Sequence, residues 1–158
     1  MQDDATTRLA EGFITAWNTR DLAAFGRLFH PEFKWHIAVT DHDDPVMRPL
    51  QSKLLEGKNL SWPKSIFDKA ATLAIFQGIF DRTSQFSIAP KSFTAQDDRV
   101  VVELVGDAIN EQNGRRYNNL YCYVFQMKDG QIVLFREYQD TLLLFDVWSA
   151  DRLPEARP

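Results

Sequence analysis

Residues 113–141, NGRRYNNLYCYVFQMKDGQIVLFREYQDT, decide the fold. Within them, Asn113-Gly114 and Asp129-Gly130 are dipeptides typical of tight β-hairpin turns. Apolar and polar residues alternate around these turns, which predicts a long strand over residues 117–127 and a last strand over residues 131–139. The stretch therefore predicts two antiparallel strands at the end of a sheet.

The flanking sequence extends this sheet. Residues 86–93 alternate but are interrupted at Pro90, which is typical of a bulge or of an edge strand. A turn at residues 96–99 leads into a further strand over residues 100–109. After the last strand, Asp140 predicts the N-cap of a short terminal helix. We therefore expect a four-stranded antiparallel meander that is followed by a helix.

The first part of the chain is predicted to contain two helices and a strand. Apolar residues between positions 6 and 17 recur at helical spacing, so they form one face of an amphipathic helix. Asp21 predicts the N-cap of a shorter helix, which His30-Pro31 would end, because a residue before proline is disfavoured in the α conformation. Alternation over residues 33–39 then predicts a strand.

A further helix completes an α+β plan. A wide apolar stripe over residues 67–80 predicts a well-buried helix, with Ser61 or Ser65 as its N-cap. Helices that precede a run of strands are typical of an α+β fold, in which the helices lie on one face of the sheet. We expect a single domain over residues 1–150 and a flexible tail over residues 151–158.

Composition excludes several classes of protein. The 158 residues carry a net charge of −4, which argues against binding to nucleic acid or to anionic membranes. The single cysteine, Cys122, cannot form an internal disulfide. The sequence contains neither a secretory signal nor an apolar run of about 18 residues, so we expect a cytoplasmic protein. Aromatic residues make up 13% of the chain, and we expect them to converge on the wall of a cavity.

Several segments of the chain resemble SnoaL-like proteins. These are residues 13–18 with Asp21, 33–36, 113–121, 128–132 and 136–141. SnoaL-like proteins belong to the nuclear transport factor 2-like (NTF2-like) superfamily, which includes ketosteroid isomerase, polyketide cyclases and limonene epoxide hydrolase. The resemblance covers nearly the whole chain and is weakest over residues 41–65. It implies a cone made of a strongly curved, mainly antiparallel sheet wrapped by about three to four helices. It also implies an internal pocket and a homodimer formed through the outer face of the sheet.

Glu137 is the candidate catalytic residue. Alternation places Phe135, Glu137 and Gln139 on one face of the last strand. The resemblance implies that this face lines the pocket, because similar enzymes carry a carboxylate there. A carboxyl group in an apolar pocket has a raised pKa and can act as a general acid or base. The alternative is that Glu137 forms an ion pair with an arginine across the sheet.

The candidate ligand-binding residues lie on the long strand, the last strand and the first elements. They are Asn119, Tyr121, Tyr117, Gln139, Trp17 and Trp35. On the long strand, Tyr123 and Phe125 share a face with the candidates Tyr117, Asn119 and Tyr121. The resemblance to the epoxide hydrolases implies that this face lines the pocket. Amides and phenols among aromatic rings can orient a carbonyl or hydroxyl ligand. The alternative is that the tyrosines fill the core and bond to the backbone.

The chain lacks residues that two known reactions of the superfamily need. The epoxide hydrolases need an Arg-x-Asp motif where this chain has Leu104-Val105-Gly106, and Asp107 is out of register and should face the other way. Ketosteroid isomerase needs a protonated acid beside a tyrosine, and no acid stands at an equivalent position. His36 is expected to face outward or toward a dimer partner. The histidines also recur at a spacing that does not predict a metal site.

The sequence therefore predicts a SnoaL-like protein that binds a small apolar molecule. If it is an enzyme, we expect a cofactor-free isomerase, cyclase or hydratase acting by general acid/base proton transfer on a substrate with a carbonyl or hydroxyl group. The alternative is a non-catalytic ligand-binding or dimerisation module on the same fold.

Overall fold

Four helices and seven strands make up the described part of the chain, residues 2–37 and 66–148 of a computed structural model. In chain order these are α1 (Gln2–Thr19), α2 (Leu22–Leu28), β1 (Phe29–Ile37), β2 (Ile66–Asp68), α3 (Lys69–Asp81), β3 (Phe86–Gln96), β4 (Arg99–Asn110), β5 (Arg115–Tyr117), β6 (Leu120–Lys128), β7 (Gln131–Gln139) and α4 (Thr141–Trp148). The predictions for residues 41–65, for the end of the first strand at residues 38–39 and for the tail at residues 151–158 lie outside the described residues.

The strands form one open mixed sheet in the order β2-β1-β7-β6-β4-β3, with β5 paired to β4. Strands β3, β4, β6 and β7 are the predicted antiparallel meander. Strand β1 joins this meander by pairing parallel to β7. The predicted α+β class is confirmed. Among the described residues, no helix is both long enough and apolar enough to cross a membrane.

Most predicted turns and caps are confirmed. Gly114 and Gly130 have φ angles of +70° and +74°, which glycine adopts without the penalty of a Cβ atom. The Asp21 carboxylate accepts from the Ala24 amide at 2.8 Å and caps α2. Strand β3 is at the edge of the sheet, and its register with β4 shifts beyond Pro90, so both effects predicted for this proline are present.

Two element boundaries differ from the predictions. Strand β1 begins at Phe29 and continues through His30-Pro31, because Phe29 is already extended, with φ −86° and ψ 128°. Helix α3 begins only at Lys69, where the Asp68 carboxylate accepts from the Ala71 amide at 2.9 Å. The predicted caps at Ser61 and Ser65 are therefore wrong for this helix. Phe67, the first residue of the predicted helical stripe, lies in the short strand β2 and not in the helix.

The predicted long strand is interrupted. Residues 118 and 119 separate β5 from β6, so the pairing with β4 is carried by two segments. Within the interruption, the Asn119 carbonyl still accepts from the Gly106 amide at 2.8 Å. The side chains of Tyr117, Asn119 and Tyr121 remain buried on the inner face, as the alternation predicts.

Part of the aromatic excess forms a solid core. The Phe13 ring of α1 contacts six other rings at centroid distances of 4.9–6.2 Å. These rings belong to Phe25, Phe29, Phe76, Tyr123, Phe125 and Phe135. The expectation that the aromatic residues would converge on a cavity wall is therefore corrected for Phe13, Phe25, Phe29 and Phe125, which are fully buried among other rings and do not line the cavity described below.

Candidate functional site

A cavity with about 120 Å³ of free volume lies between the inner face of the sheet and helices α1, α3 and α4. Aromatic side chains dominate its wall. The lining residues are Trp17, Trp35, Ile37, Ile75, Phe76, Ile79, Arg82, Phe86, Tyr117, Tyr121, Tyr123, Phe135, Glu137, Gln139, Leu144 and Trp148. An apolar enclosure with a few polar groups is typical of small-molecule sites.

Glu137 carries the only carboxyl group among the described residues that line the cavity. Its side chain is almost buried, with a residue exposure of 8%. Burial raises the pKa of Glu137 to about 8, while hydrogen bonds from Trp35 and Tyr123 work against this rise. The Trp35 Nε1–H donates to Glu137 Oε2 at 3.0 Å. Near pH 7 the group is therefore mostly protonated, and it ionises slightly above this pH.

The predicted alternative of an ion pair is not seen for Glu137 within the described part of the chain. The Trp35 donor lies on β1, whose register places Ile37 opposite Glu137. The Tyr123 neighbour lies opposite Glu137 on β6. Both donors are neutral, so they hold the carboxyl group in place without fixing a charge on it.

A hydrogen-bond network holds one side of the cavity wall in place. The Tyr117 hydroxyl donates to Gln139 Oε1 and accepts from Asn119 Nδ2, the latter at 3.0 Å. Asn119 also binds the backbone of Asp140, since Asn119 Oδ1 accepts from the Asp140 amide at 3.0 Å and Nδ2 donates to the Asp140 carbonyl at 3.3 Å. Asp140 in turn caps α4, as predicted, by accepting from the Leu143 amide at 3.1 Å.

Burial also keeps the tyrosine hydroxyls protonated. The pKa values of Tyr117, Tyr121 and Tyr123 are raised above their usual range, mainly because burial disfavours the phenolate. These three side chains therefore remain neutral donors while Glu137 titrates. A second kind of donor is the Nε1–H of Trp17, which is buried without an acceptor among the described residues.

The positions corresponding to an Arg-x-Asp motif carry different groups. Leu104 is buried, and Gly106 lies under the ring of Tyr121, so closely that a Cβ atom on Gly106 would lie 2.6 Å from Tyr121 Cε2. Asp107 faces the opposite side of the sheet, as predicted, and both of its carboxylate oxygens accept from Arg116 at 2.9 Å.

The structure brings six of the seven predicted site residues to the cavity. These are Glu137, Tyr121, Tyr117, Gln139, Trp17 and Trp35. Asn119 is buried behind the wall and touches Tyr117 instead of the free volume. His36 follows Trp35 on β1 and lies opposite Arg136 of β7. No metal-binding group of histidine, cysteine and acidic residues occurs in the described ranges.

Sequence reasoning missed Arg82 and the aliphatic residues Ile75, Ile79 and Leu144 that the region of helices α3 and α4 contributes. Arg82 follows α3, and its guanidinium lies over the Trp148 ring of α4 at 5.2 Å from the centroid. A signal for the α3 wall is present in the sequence, because Ile75, Ile79 and Arg82 recur at the spacing of one helix face. That spacing does not reveal the contact with Trp148, which depends on the packing of two distant elements.

The profile of the SnoaL-like domain family matches residues 10–135. The chain belongs to this family. Its fold is NTF2-like, since solved structures of that type superpose over nearly the whole chain. A candidate SnoaL-like polyketide cyclase from Jannaschia sp. CCS1 is 13% identical, with a TM-score of 0.70 and 95% of each chain covered.

Two other solved structures extend the comparison. An NTF2-like protein from Burkholderia pseudomallei is 17% identical, with a TM-score of 0.68, and the match covers 92% of this chain and 98% of that one. An LEH-like epoxide hydrolase from M. tuberculosis is 16% identical, with a TM-score of 0.67, and the match covers 92% of this chain and 90% of that one. At these identities the likeness establishes the fold alone. The curated proteins contain no significant match to the chain.

Proposed function

We propose that this SnoaL-like protein binds a small, largely apolar molecule with a carbonyl or hydroxyl group and moves a proton on it through Glu137. The observation that carries the proposal is a single carboxyl group, almost buried in an aromatic cavity, whose pKa is raised to about 8. A general base or acid works best when its pKa is near the working pH. The aromatic wall supplies the apolar contacts for the ligand.

The proton transfer requires no cofactor in this proposal. The ionised Glu137 takes a proton from the carbon next to a carbonyl, and the electron pair of that C–H bond moves toward the carbonyl oxygen to form an enolate. A donor in the wall, such as the Tyr121 hydroxyl or the unpaired Nε1–H of Trp17, then stabilises the oxygen. Returning the proton at another carbon gives isomerisation, and attack of the enolate on a second carbonyl carbon gives cyclisation.

Asn119 acts in this proposal as a positioning residue. Its amide orients the Tyr117 hydroxyl and connects it to the start of α4. The direct contact between Asn119 and a ligand, which the sequence predicts, would require the Tyr117 side chain to move aside.

A non-catalytic ligand-binding module is the second candidate. It is favoured by the hydrogen bonds of Tyr117, whose hydroxyl is already occupied by Gln139 and Asn119. A hydroxyl with satisfied partners is less available to a reacting carbonyl. In this case the cavity would hold its ligand by apolar contact, and Glu137 would contribute shape and a weak polar contact.

Acetophenone separates the two candidates, because it combines one aromatic ring with a carbonyl group and exchangeable α-protons. The free volume of about 120 Å³ is close to that of an engineered apolar cavity of about 150 Å³ that holds benzene, so the probe is limited to one ring with one small polar group. NMR in deuterated buffer measures both its binding and the exchange of its methyl protons for deuterium. We expect the wild type to accelerate the exchange, with a protein-dependent rate that rises through about pH 8 and then levels off.

Matched variants sharpen this experiment. Glu137→Gln should bind acetophenone but lose the acceleration, whereas Asp107→Asn, which removes a carboxylate on the outer face, should retain it. Binding without any acceleration by the wild type would favour the non-catalytic module. Absence of binding to the wild type would contradict the proposed use of the cavity.

We also propose the homodimer through the outer sheet face that the family resemblance implies, in a protein of the cytoplasm. Supporting it, Leu120, Tyr138 and Ile109 expose apolar surface on that face, with exposures of 72%, 46% and 45%. Sedimentation equilibrium tests this arrangement. Tyr138→Glu should shift the protein to monomer, while Leu142→Glu, at a position on α4 that is even more exposed, should leave its mass unchanged.

A further inference from the structure

We infer that Arg82 is the counter-ion for an anionic group of the ligand, so that the cavity selects aromatic molecules carrying a carboxylate or an acidic enol at one end. This inference rests on the proposed use of the cavity as a ligand site and goes on to name the substrate class.

The wall has two chemically different ends. Glu137 lies at one end, next to Trp35 and Tyr123. From there the rings follow one another in contact, Tyr123 to Tyr121 at 5.2 Å and Tyr121 to Tyr117 at 6.3 Å. A planar ligand lying along these rings would have one end near the carboxyl group.

Beyond Tyr117, the series of contacting rings leads to the positively charged side chain of Arg82. The Tyr117 ring contacts the Trp148 ring at 5.5 Å, and the Arg82 guanidinium lies over Trp148. A continuous series of contacting rings therefore connects Glu137 with Arg82. These two residues also carry the only carboxyl group and the only basic group among the lining residues that the structure describes.

Arg82 is oriented but not neutralised. Its Nε donates to the Gly78 carbonyl at 2.9 Å, and the guanidinium lies over the Trp148 ring. No carboxylate whose side chain is described, in residues 5–37 and 66–148, is paired with it. A guanidinium donates through a fixed fork of N–H groups, so Nη1 and Nη2 remain available to both oxygens of a carboxylate.

The charge of the cavity favours the same class of ligand. Around pH 7 Glu137 is largely protonated, so Arg82 leaves the cavity with a net positive charge. A positive cleft with walls of low polarity attracts anions and strengthens their pairing once water is excluded. The overall charge of the protein cannot be the source of a preference for anions, because a net charge of −4 repels them.

Benzoate and acetophenone form a matched pair that tests Arg82, since they share the ring and differ in the charge of one small group. Isothermal titration at pH 7 gives the two dissociation constants for the wild type and for each variant. We expect the wild type to prefer benzoate. In Arg82→Gln we expect the preference for benzoate over acetophenone to fall about tenfold, because a hydrogen-bonded ion pair that is shielded from water contributes that much to binding.

Two further variants complete the design. Arg82→Lys keeps the positive charge and should retain part of the preference, whereas Arg116→Gln, an exposed arginine outside the cavity, should leave it unchanged. If Arg82→Gln binds both ligands with the wild-type preference, the inference about Arg82 is wrong and the proposed cavity stands. If the wild type binds neither ligand, the proposed function fails, and this inference fails with it.

Discussion

Replacing Glu137 with glutamine should change how the stability of the protein depends on pH. The amide keeps the size of the side chain and can still accept from Trp35, but it does not titrate. In the folded wild type the pKa of Glu137 is raised to about 8, compared with 4.5 for the group in the unfolded chain. Between these two values the folded state holds a proton that the unfolded state has released, so raising the pH favours unfolding of the wild type.

The size of the effect follows from the two pKa values. Each unit of pH within this window changes the free energy of unfolding by about 1.4 kcal/mol. From pH 5 to pH 9, the wild type should therefore lose about 4 kcal/mol of stability relative to Glu137→Gln. A typical domain is stable by about 5–15 kcal/mol, so this change is large enough to measure.

Urea unfolding followed by tryptophan fluorescence at each pH gives the required free energies. Taking the difference between the wild type and the variant cancels the titration of other groups that both proteins share. Asp107→Asn is the control, because its pairing with Arg116 lowers the pKa of Asp107 and keeps it ionised over this whole range. Its curve should run parallel to that of the wild type. A difference for Glu137→Gln that varies by less than about 1 kcal/mol from pH 5 to pH 9 would refute the reasoning.

Three further substitutions test the wall around this carboxyl group, each by urea unfolding at pH 7. Gly106→Ala should destabilise the fold by about 1–3 kcal/mol, because the new methyl group collides with the Tyr121 ring. Gly78→Ala, in helix α3 where the new methyl group meets no atom within 4 Å, should instead stabilise it by about 0.5–1 kcal/mol. Asn119→Ala should cost about 2 kcal/mol by leaving the amide of Asp140 unpaired. A loss as large in Asn118→Ala, at the exposed neighbouring position, would contradict this last explanation.

The sequence was most informative where structure depends on neighbouring residues. Alternation alone predicted that Glu137 shares a face with Phe135 and that Tyr117 shares one with Tyr121, because a strand has a period of two. The family resemblance then indicated that these faces line the pocket. The turns at Gly114 and Gly130 were also predictable, since their backbone conformation requires glycine or a small polar residue. These local rules were enough to indicate the meander and the strand that carries the candidate acid.

Other features depend on contacts between distant segments and left no local signal. One such feature lies between β5 and β6, where the Asn119 side chain binds the backbone of Asp140, beyond β7. The position of Arg82 in the cavity wall requires the Trp148 ring of another helix. The sequence likewise did not separate the solid core around Phe13 from the cavity wall, since aromatic residues at helical or strand spacing suit both environments.

The parallel pairing of β1 with β7 has a consequence for how the protein is made. During synthesis, Trp35 leaves the ribosome long before Glu137, its hydrogen-bond partner 102 positions later. Until β7 is available, β1 has no partner on that edge, and contacts so distant in sequence are slow to form. Completion of the cavity is therefore expected to be a late event in folding, and a nascent chain released before residue 137 would lack the proposed base and the strand that supports it.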